Sequence, residues 1–569
     1  MVVFSPTDTI VALATAPSRA GIGVVRISGA GAHDVARAIL TVARDLQPRY
    51  ATLTHVHAFA RDQRPASFGG ASHTAAGTER QIEVGAAERG VSQPDSWSPG
   101  SSDPGAAAHS PASVGSQAPS GFGAAASVAL RPIDEVVATY FPRPHSYTAE
   151  DVVEISAHGS LALLREIVRA AIDAGARLAE PGEFTLRAFL NGRVDLVQAE
   201  AVGDLIDAVT PLQARVAFDQ LEGTLTRAIG KLDRELFDLA ARLEASVDFP
   251  DEGYHFVAPG EAAETLRRVR DGVDALLTTS ARGRVIREGR QIAILGKPNV
   301  GKSSLFNQLV GTDRAIVAAR PGTTRDMLSE TFDFDGIRLG LVDTAGIRVS
   351  GDEVEQEGVW RARRAAAIAD LVVLVLDASR PLEEIDQALL RETATAARVV
   401  IANKADLLPA WNMAQPVDAI VAPPGLKARP PSGDAEAGSE DPAPGAAAGN
   451  HATPTGWAPA FVGEMVSLSL KTGEGVDELR AAMRAALDVE EPLRDAPLVT
   501  NLRHDTLLRQ ARGALQRGID NLAEAGESAT EELVLADIGD ARHAFEDVTG
   551  RRTTEDVLKR IFERFCVGK

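Results

Sequence analysis

Gly296-Lys297-Pro298-Asn299-Val300-Gly301-Lys302-Ser303 follows the apolar run Ile292–Leu295 and opens onto Ser304–Leu309. This is the pattern G-x-x-x-x-G-K-[ST] in the strand–loop–helix setting that it requires. Its glycines let backbone N–H groups close around phosphate oxygens at a helix N-terminus. Asn299, Val300, Gly301, Lys302, Ser303 and Ser304 are therefore expected to line a nucleoside phosphate site. Lys302 would reach the terminal phosphates, and the Ser303 hydroxyl would take one Mg2+ position. By itself the motif is also compatible with an ATPase or with a chance Gly-rich turn.

Four later stretches, in the right order, point to guanine. Thr323-Thr324-Arg325-Asp326 reads as a loop in which Thr324 completes the Mg2+ shell and senses the last phosphate. Asp343-Thr344-Ala345-Gly346 ends the run Leu339–Val342, which puts Asp343 at a strand tip beside the metal and Gly346 near the last phosphate. Asn403-Lys404-Ala405-Asp406 ends the run Val399–Ala402. The Asp406 carboxylate can accept two hydrogen bonds from a guanine edge. Adenine offers the wrong groups there, and an acceptor left unpaired costs about 1–3 kcal/mol. Ser469-Leu470-Lys471 resembles the Ser-Ala-Lys loop that closes over guanine; Leu470 departs from Ala at a position expected to act through its backbone N–H. Four of the few lysines of this arginine-rich chain are Lys302, Lys404, Lys471 and Lys569, where a compact ammonium on a flexible stem is suited to the task.

The 569 residues suggest three or four domains, and a hydrophobic content of 44% is enough for sizeable cores. The single cysteine, Cys566, rules out an intramolecular disulfide and fits a reducing compartment. No apolar run reaches the ~20 residues of a membrane span, and residues 1–19 lack the basic leader of a signal peptide. A cytoplasmic protein without membrane attachment is expected. The net charge of −20 means that the overall field does not steer the chain to nucleic acid, so any RNA must be met through a local basic patch or a partner.

Residues 61–127 and 422–459 are dense in Gly, Ala, Ser and Pro and cannot bury enough apolar surface to offset chain entropy. Both are expected to be disordered insertions in surface loops. Strand-like runs at Ile10–Ala14, Ile22–Ile27 and Glu135–Phe141, with a helix near Leu161–Ala174, predict a mixed α/β domain. Helical patterns run from Val194 to Val247 and on to Thr279, and return over Leu498–Phe565. Between them, alternating strands and helices over 284–488 predict a doubly wound, mostly parallel sheet. The simplest arrangement inserts this nucleotide domain into one helical unit; the alternative is a separate C-terminal helical domain. The fold class is a multidomain combination of α/β and all-α units.

Further stretches identify the chain as similar to the bacterial tRNA modification GTPases of the MnmE (TrmE) family. They are Asp8-Thr9-Ile10-Val11 with Gly23-Val24-Val25-Arg26-Ile27-Ser28-Gly29; Ser146-Tyr147-Thr148-Ala149-Glu150-Asp151-Val152-Val153-Glu154; Pro181-Gly182-Glu183-Phe184 with Arg187-Ala188-Phe189-Leu190-Asn191-Gly192-Arg193; Asp248-Phe249-Pro250-Asp251-Glu252; and Cys566-Val567-Gly568-Lys569. The resemblance covers nearly everything except the two insertions. It implies a folate-binding and dimerising N-terminal domain over 1–190, a helical domain over 191–283 and 489–569, and a Ras-like GTPase domain inserted at 284–488. It also implies a homodimer that works with the FAD-dependent partner MnmG (GidA). Together they would place an aminomethyl-type (carboxymethylaminomethyl) group on carbon 5 of the tRNA wobble uridine, using 5-formyl- or methylene-tetrahydrofolate.

The resemblance also implies residue roles. Ile347 stands where Ras-type GTPases carry the water-orienting Gln, and the family's second-switch Glu aligns with Glu355. A K+ ion against the phosphates would neutralise developing charge; Asn299 matches its side-chain ligand, and backbone carbonyls over Ala318–Thr323 supply the rest. Here that loop reads Ala318-Ala319-Arg320-Pro321-Gly322-Thr323, a departure in which the Arg320 guanidinium is a rival for the ion's role. The positions matching folate ligands are Arg26, Glu154, Arg193 and Lys569. Cys566 is either a nucleophile near the folate or a small buried residue. The rival reading is a ribosome-assembly GTPase of the Era/Der type, against which the net charge and the N-terminal stretches both argue; a folate enzyme with a merely regulatory GTPase is the third.

Overall fold

The computed structural model describes residues 7–16, 19–42, 44–58, 131–248, 257–312, 331–342, 364, 366–413, 465–487, 497–525, 531–552, 554–563, 565 and 567–568. The chain divides into two compact units. One comprises Met1–Asp195 with Thr553–Lys569, the other Leu196–Arg552.

The first unit is built on a six-stranded sheet of order β3-β4-β5-β2-β1-β6. Its strands are β1 (Ile10–Leu13), β2 (Ile22–Ser28), β3 (Ala51–Ala58), β4 (Arg131–Phe141), β5 (Val152–His158) and β6 (Arg177–Leu178). All neighbours pair antiparallel except β1 with β6. Alternation along the strands separates two faces. Val25, Ile27, Val153 and Ile155 join α1 (Ala32–Ile39) and α2 (Leu161–Asp173) in the main core, and Ile10 and Ala12 pack with Phe184 and Tyr147 in a smaller cluster. Phe184 sits on α3 (Glu183–Leu190).

That smaller cluster is bordered by a buried ion network. The Arg187 guanidinium is 1% exposed and donates to Glu183, Glu150 and the Asp8 carbonyl. Arg177 bonds both Glu183 oxygens and reaches Asp8. Burial works against the Glu183 charge, but its Arg177, Arg187 and backbone donors outweigh it and hold the carboxyl below its ordinary range.

Of the stretch 489–569, read from the sequence as the second part of the helical domain, residues from Thr553 onward group by contact with the N-terminal unit. The short helix at Glu555–Phe562 packs against α3, Val567 bridges Pro181, and Gly568 comes so close to the Leu13 carbonyl that no Cβ would fit. The helix buries Leu558 and Phe562.

In the second unit, α4 (Leu196–Asp207), α5 (Pro211–Leu221), α6 (Thr224–Asp248), α7 (Pro259–Thr278) and α8 (Ser280–Glu288) precede the nucleotide-type sheet. The helices Leu502–Ala525 and Glu531–Thr549 follow it and share one core with α6 and α7, Leu236, Leu266, Leu515 and Phe545 among its members. Glu200 and Arg503, 303 residues apart, clasp the two halves with bonds of 2.9 and 3.1 Å.

The inserted sheet has the order β12-β11-β10-β7-β9-β8. Its strands are β7 (Arg290–Leu295), β8 (Thr331–Phe334), β9 (Ile337–Leu341), β10 (Leu371–Asp377), β11 (Arg398–Asn403) and β12 (Val466–Leu468). All pairs are parallel except β8 with β9. Every residue of β10 is buried, as a central parallel strand covered on both faces requires. The strands end at a common edge, where open α/β sheets place their ligands.

Candidate functional site

The loop after β7 leads into α9 (Lys302–Thr312). Asn299 takes a left-handed conformation (φ 64°), which asparagine tolerates better than most residues. Gly301 (φ 110°) lies so close to Asn403 that an added Cβ would stand 2.3 Å from its Nδ2. Lys302 folds back, its Nζ donating to the carbonyls of Gly296 at 2.8 Å and Lys297 at 2.7 Å. Burial pushes the Lys302 pKa below the ordinary lysine value, and an anion in the loop would supply the countercharge that these carbonyls only approximate. Asn299, Ser303 and Ser304 are exposed at the loop and the first turn of α9. The Ser303 hydroxyl is thus accessible for the Mg2+ position read from the motif.

The other half of the site is brought to this loop by hydrogen bonds between distant segments. Asn403, at the end of β11, donates from Nδ2 to the Val300 carbonyl at 2.7 Å and accepts from the Leu470 N–H at 3.3 Å. The Ser469 hydroxyl donates to Asp406 Oδ1 at 2.8 Å and its Oγ accepts from Thr472 N. The left-handed φ of Lys404 (67°) turns the chain away from the strand, leaving Asp406 and Lys471 exposed. Three sequence-predicted stretches, Gly296–Ser303, Asn403–Asp406 and Ser469–Lys471, therefore meet at the carboxyl edge of the sheet. The Leu470 N–H is directed to Asn403 Oδ1. The donor and acceptor set fits a guanine nucleotide.

Ala318, Ala319, Arg320, Pro321, Gly322, Thr323, Thr324, Asp343, Thr344, Ala345, Gly346 and Glu355 lie outside the described residues, as do Cys566 and Lys569. The hairpin β8–β9 that joins these two switch segments is described. At its tip, Thr210 Oγ1 donates to the Gly336 carbonyl at 2.6 Å, and Arg480 and Arg484 both reach Asp335. Thr210 also caps α5 in a reciprocal pairing with Gln213.

In the first unit the structure brings Arg26 and Glu154 together. They face each other across β2 and β5, with Arg26 Nε 2.8 Å from Glu154 Oε1. The Arg26 guanidinium also lies over the Tyr147 ring, 4.8 Å from its centroid. Arg193 is exposed in the turn after α3, and among the described residues no ion pair ties it to Arg26 or Glu154. Sequence reasoning missed Glu150, Glu183 and Arg187 as partners in one network; the i,i+4 spacing of Glu183 and Arg187 was the available signal.

Comparison with known proteins adds to this geometry. The model of the MnmE helical domain matches residues 196–566, and that of the GTP-binding protein TrmE N-terminus matches 9–75 and 114–193. The chain belongs to the MnmE (TrmE) family. The tRNA modification GTPase MnmE of Koribacter versatilis is 36% identical over 563 residues, covering 99% of both chains. That of Aquifex aeolicus is 33% identical, covering 99% of this chain and all of its own. That of Moorella thermoacetica is 40% identical over 77% of this chain and 86% of its own. The TrmE N-terminus model passes over 76–113, inside the stretch read as an insertion.

Proposed function

We propose that this chain is a GTP hydrolase acting in tRNA modification, working as a K+-dependent member of the MnmE family. The observation that carries the reading is the coupling of Asn403 to Val300 and of Ser469 to Asp406, which joins a phosphate loop to a guanine-reading loop in a chain of this family. Backbone N–H groups of Val300–Ser303 and the Lys302 ammonium bind and orient the phosphates, and Asp406 reads the base, with the Leu470 N–H holding Asn403 beside it. Ser303 and Thr324 would hold Mg2+, which neutralises charge on the phosphates. Asn299, with carbonyls of the 318–323 loop, would hold K+. Glu355 would orient the attacking water, a task the apolar Ile347 cannot perform.

The GTPase would serve a second chemistry. With the flavoprotein MnmG, a homodimer joined through its N-terminal domains would install the carboxymethylaminomethyl-type group on carbon 5 of the wobble uridine, drawing on tetrahydrofolate-carried carbon in the cytoplasm. Arg26, Glu154 and Lys569 would be its folate ligands, and the pairing of Arg26 with Glu154 across β2 and β5 supports the first two. Arg193 would add charge for the folate tail. GTP turnover by the purified chain in K+ and in Na+ at equal ionic strength tests the reading. Strong activation by K+, lost in Asn299→Ala, is expected. Equal rates in both salts would remove the ion from the mechanism and move its task to Arg320.

A further inference from the structure

The guanine-reading loop has an anchor that its motif does not contain. Lys404 Nζ lies 2.5 Å from Oδ2 of Asp377, the last residue of β10. Asp377 is 6% exposed, and in the parallel pairing of β10 with β11 it stands opposite Asn403. Its second oxygen, Oδ1, accepts from the Ser379 N–H at 3.0 Å and the Ser379 hydroxyl at 2.6 Å. Its carbonyl accepts from Trp411 Nε1 at 3.1 Å, and the Ala378 N–H donates to the Asn403 carbonyl at 2.8 Å. Both carboxylate oxygens and the local backbone are thus engaged, and the carboxylate has one orientation available to it. Burial works against its charge, but the Lys404 ammonium and the Ser379 donors outweigh it and hold the carboxyl below its ordinary range.

Lys404 sits between Asn403, which is tied to the phosphate loop, and Asp406, which is tied to Ser469. Its backbone is in the left-handed region, where a residue with a Cβ stays only if its surroundings hold it. The ion pair to Asp377 holds its side chain, and the Ala405 N–H to the Leu468 carbonyl and the Leu407 N–H to the Lys404 carbonyl hold the turn. We propose that Asp377 is a positioning residue for base recognition: acting through Lys404, it sets the orientation of the Asn403–Asp406 loop and so the discrimination between guanine and purines without its exocyclic amine. The inference rests on the reading of this loop as a guanine site.

The test uses the full chain with Asp377→Asn, Asp377→Glu and Ser379→Ala. GTP, ITP and ATP compete against a fluorescent guanine nucleotide, and kcat and KM for GTP are measured alongside. Asp377→Asn is expected to raise KM for GTP about tenfold, the order of one charge-assisted hydrogen bond, with kcat within about twofold. The affinity ratio of GTP to ITP falls toward one, Asp377→Glu recovers part of it, and Ser379→Ala gives an intermediate loss. Asp377→Asn in a Lys404→Met background adds nothing further. If Asp377→Asn does not fold, Ser379→Ala, which keeps the charge and removes the hydroxyl bond to Oδ1, carries the test. A folded variant with an unchanged GTP-to-ITP ratio, or an effect undiminished in the Lys404→Met background, overturns the role. A wild-type chain with no preference for GTP over ATP would instead overturn the guanine-site reading on which it rests.

Discussion

Replacing Glu200 by Gln should loosen the clasp that closes the helical core around the inserted GTPase sheet, and should do so in a pH-dependent way. Glu200 is 7% exposed, and its carboxylate accepts from Arg503 through both oxygens and from His504 Nε2 at 2.7 Å. Burial alone would raise its pKa, but His504 and Arg503 outweigh burial and bring it from 4.5 to about 2. A shift of that size corresponds to about 3 kcal/mol of stability at neutral pH. The group is depressed in the fold, so this stability is fully present above pH 4.5 and is lost as pH falls toward 2. His504 adds in the same direction: burial pushes its pKa below the ordinary histidine value despite the Glu200 carboxylate, so acid favours the unfolded chain. Breaking a buried pair by removing one partner costs about 3–5 kcal/mol. Glu200→Gln keeps an acceptor, which places its cost near the lower figure, about 3 kcal/mol at pH 7. Urea unfolding followed by far-UV circular dichroism at pH 7 and at pH 4 measures it. The gap between wild type and variant should narrow at the lower pH, where the wild-type carboxylate begins to lose its advantage. A gap below about 1 kcal/mol at pH 7, or one that does not change with pH, would refute the account of this clasp.

Gly301→Ala forces a Cβ to within 2.3 Å of Asn403 Nδ2 at a φ of 110°, so guanine nucleotide binding should weaken by about 100-fold or more, read by fluorescent-nucleotide titration. Binding within a few-fold of wild type would contradict the coupling of the two loops. Arg187→Met removes one of the two guanidinium groups that hold the buried Glu183, leaving Arg177 on both of its oxygens, and should destabilise the N-terminal unit by about 1.5–3 kcal/mol while GTP binding persists; calorimetry with a nucleotide titration checks both halves. Thr210→Ala removes its bond to the Gly336 carbonyl and the cap of α5, and should lower the unfolding free energy by about 1–2 kcal/mol in chemical denaturation.

The phosphate loop was legible in the sequence because its chemistry is local: eight consecutive residues carry the turn, the lysine and the helix start. The parallel sheet was legible for a similar reason, since runs such as Ile292–Leu295 and Val399–Ala402 are apolar without alternation. What joins Val300, Asn403 and Leu470 was not legible, because hydrogen bonds across 103 and 67 residues depend on strand order. The pairing of Arg26 with Glu154 likewise needs the register of β2 against β5, which two strands 128 residues apart do not announce. The family motif around Glu150, Glu183 and Arg187 was visible as a string of residues, but its meaning as a buried network appears only when α3 is packed against the sheet. A helical period likewise says that Glu555–Phe562 is a helix, and nothing in it says which core receives Leu558 and Phe562.

The claim on which the rest depends is that Asp406 reads guanine. Asp406→Asn replaces an acceptor by a group that also donates, which suits the second carbonyl of xanthine in place of guanine's amine. Measured by nucleotide competition, the variant should lose affinity for GTP by about 100-fold or more and gain for XTP, inverting the preference of the wild-type chain. An Asp406→Asn variant that keeps its preference for GTP over XTP would contradict the account.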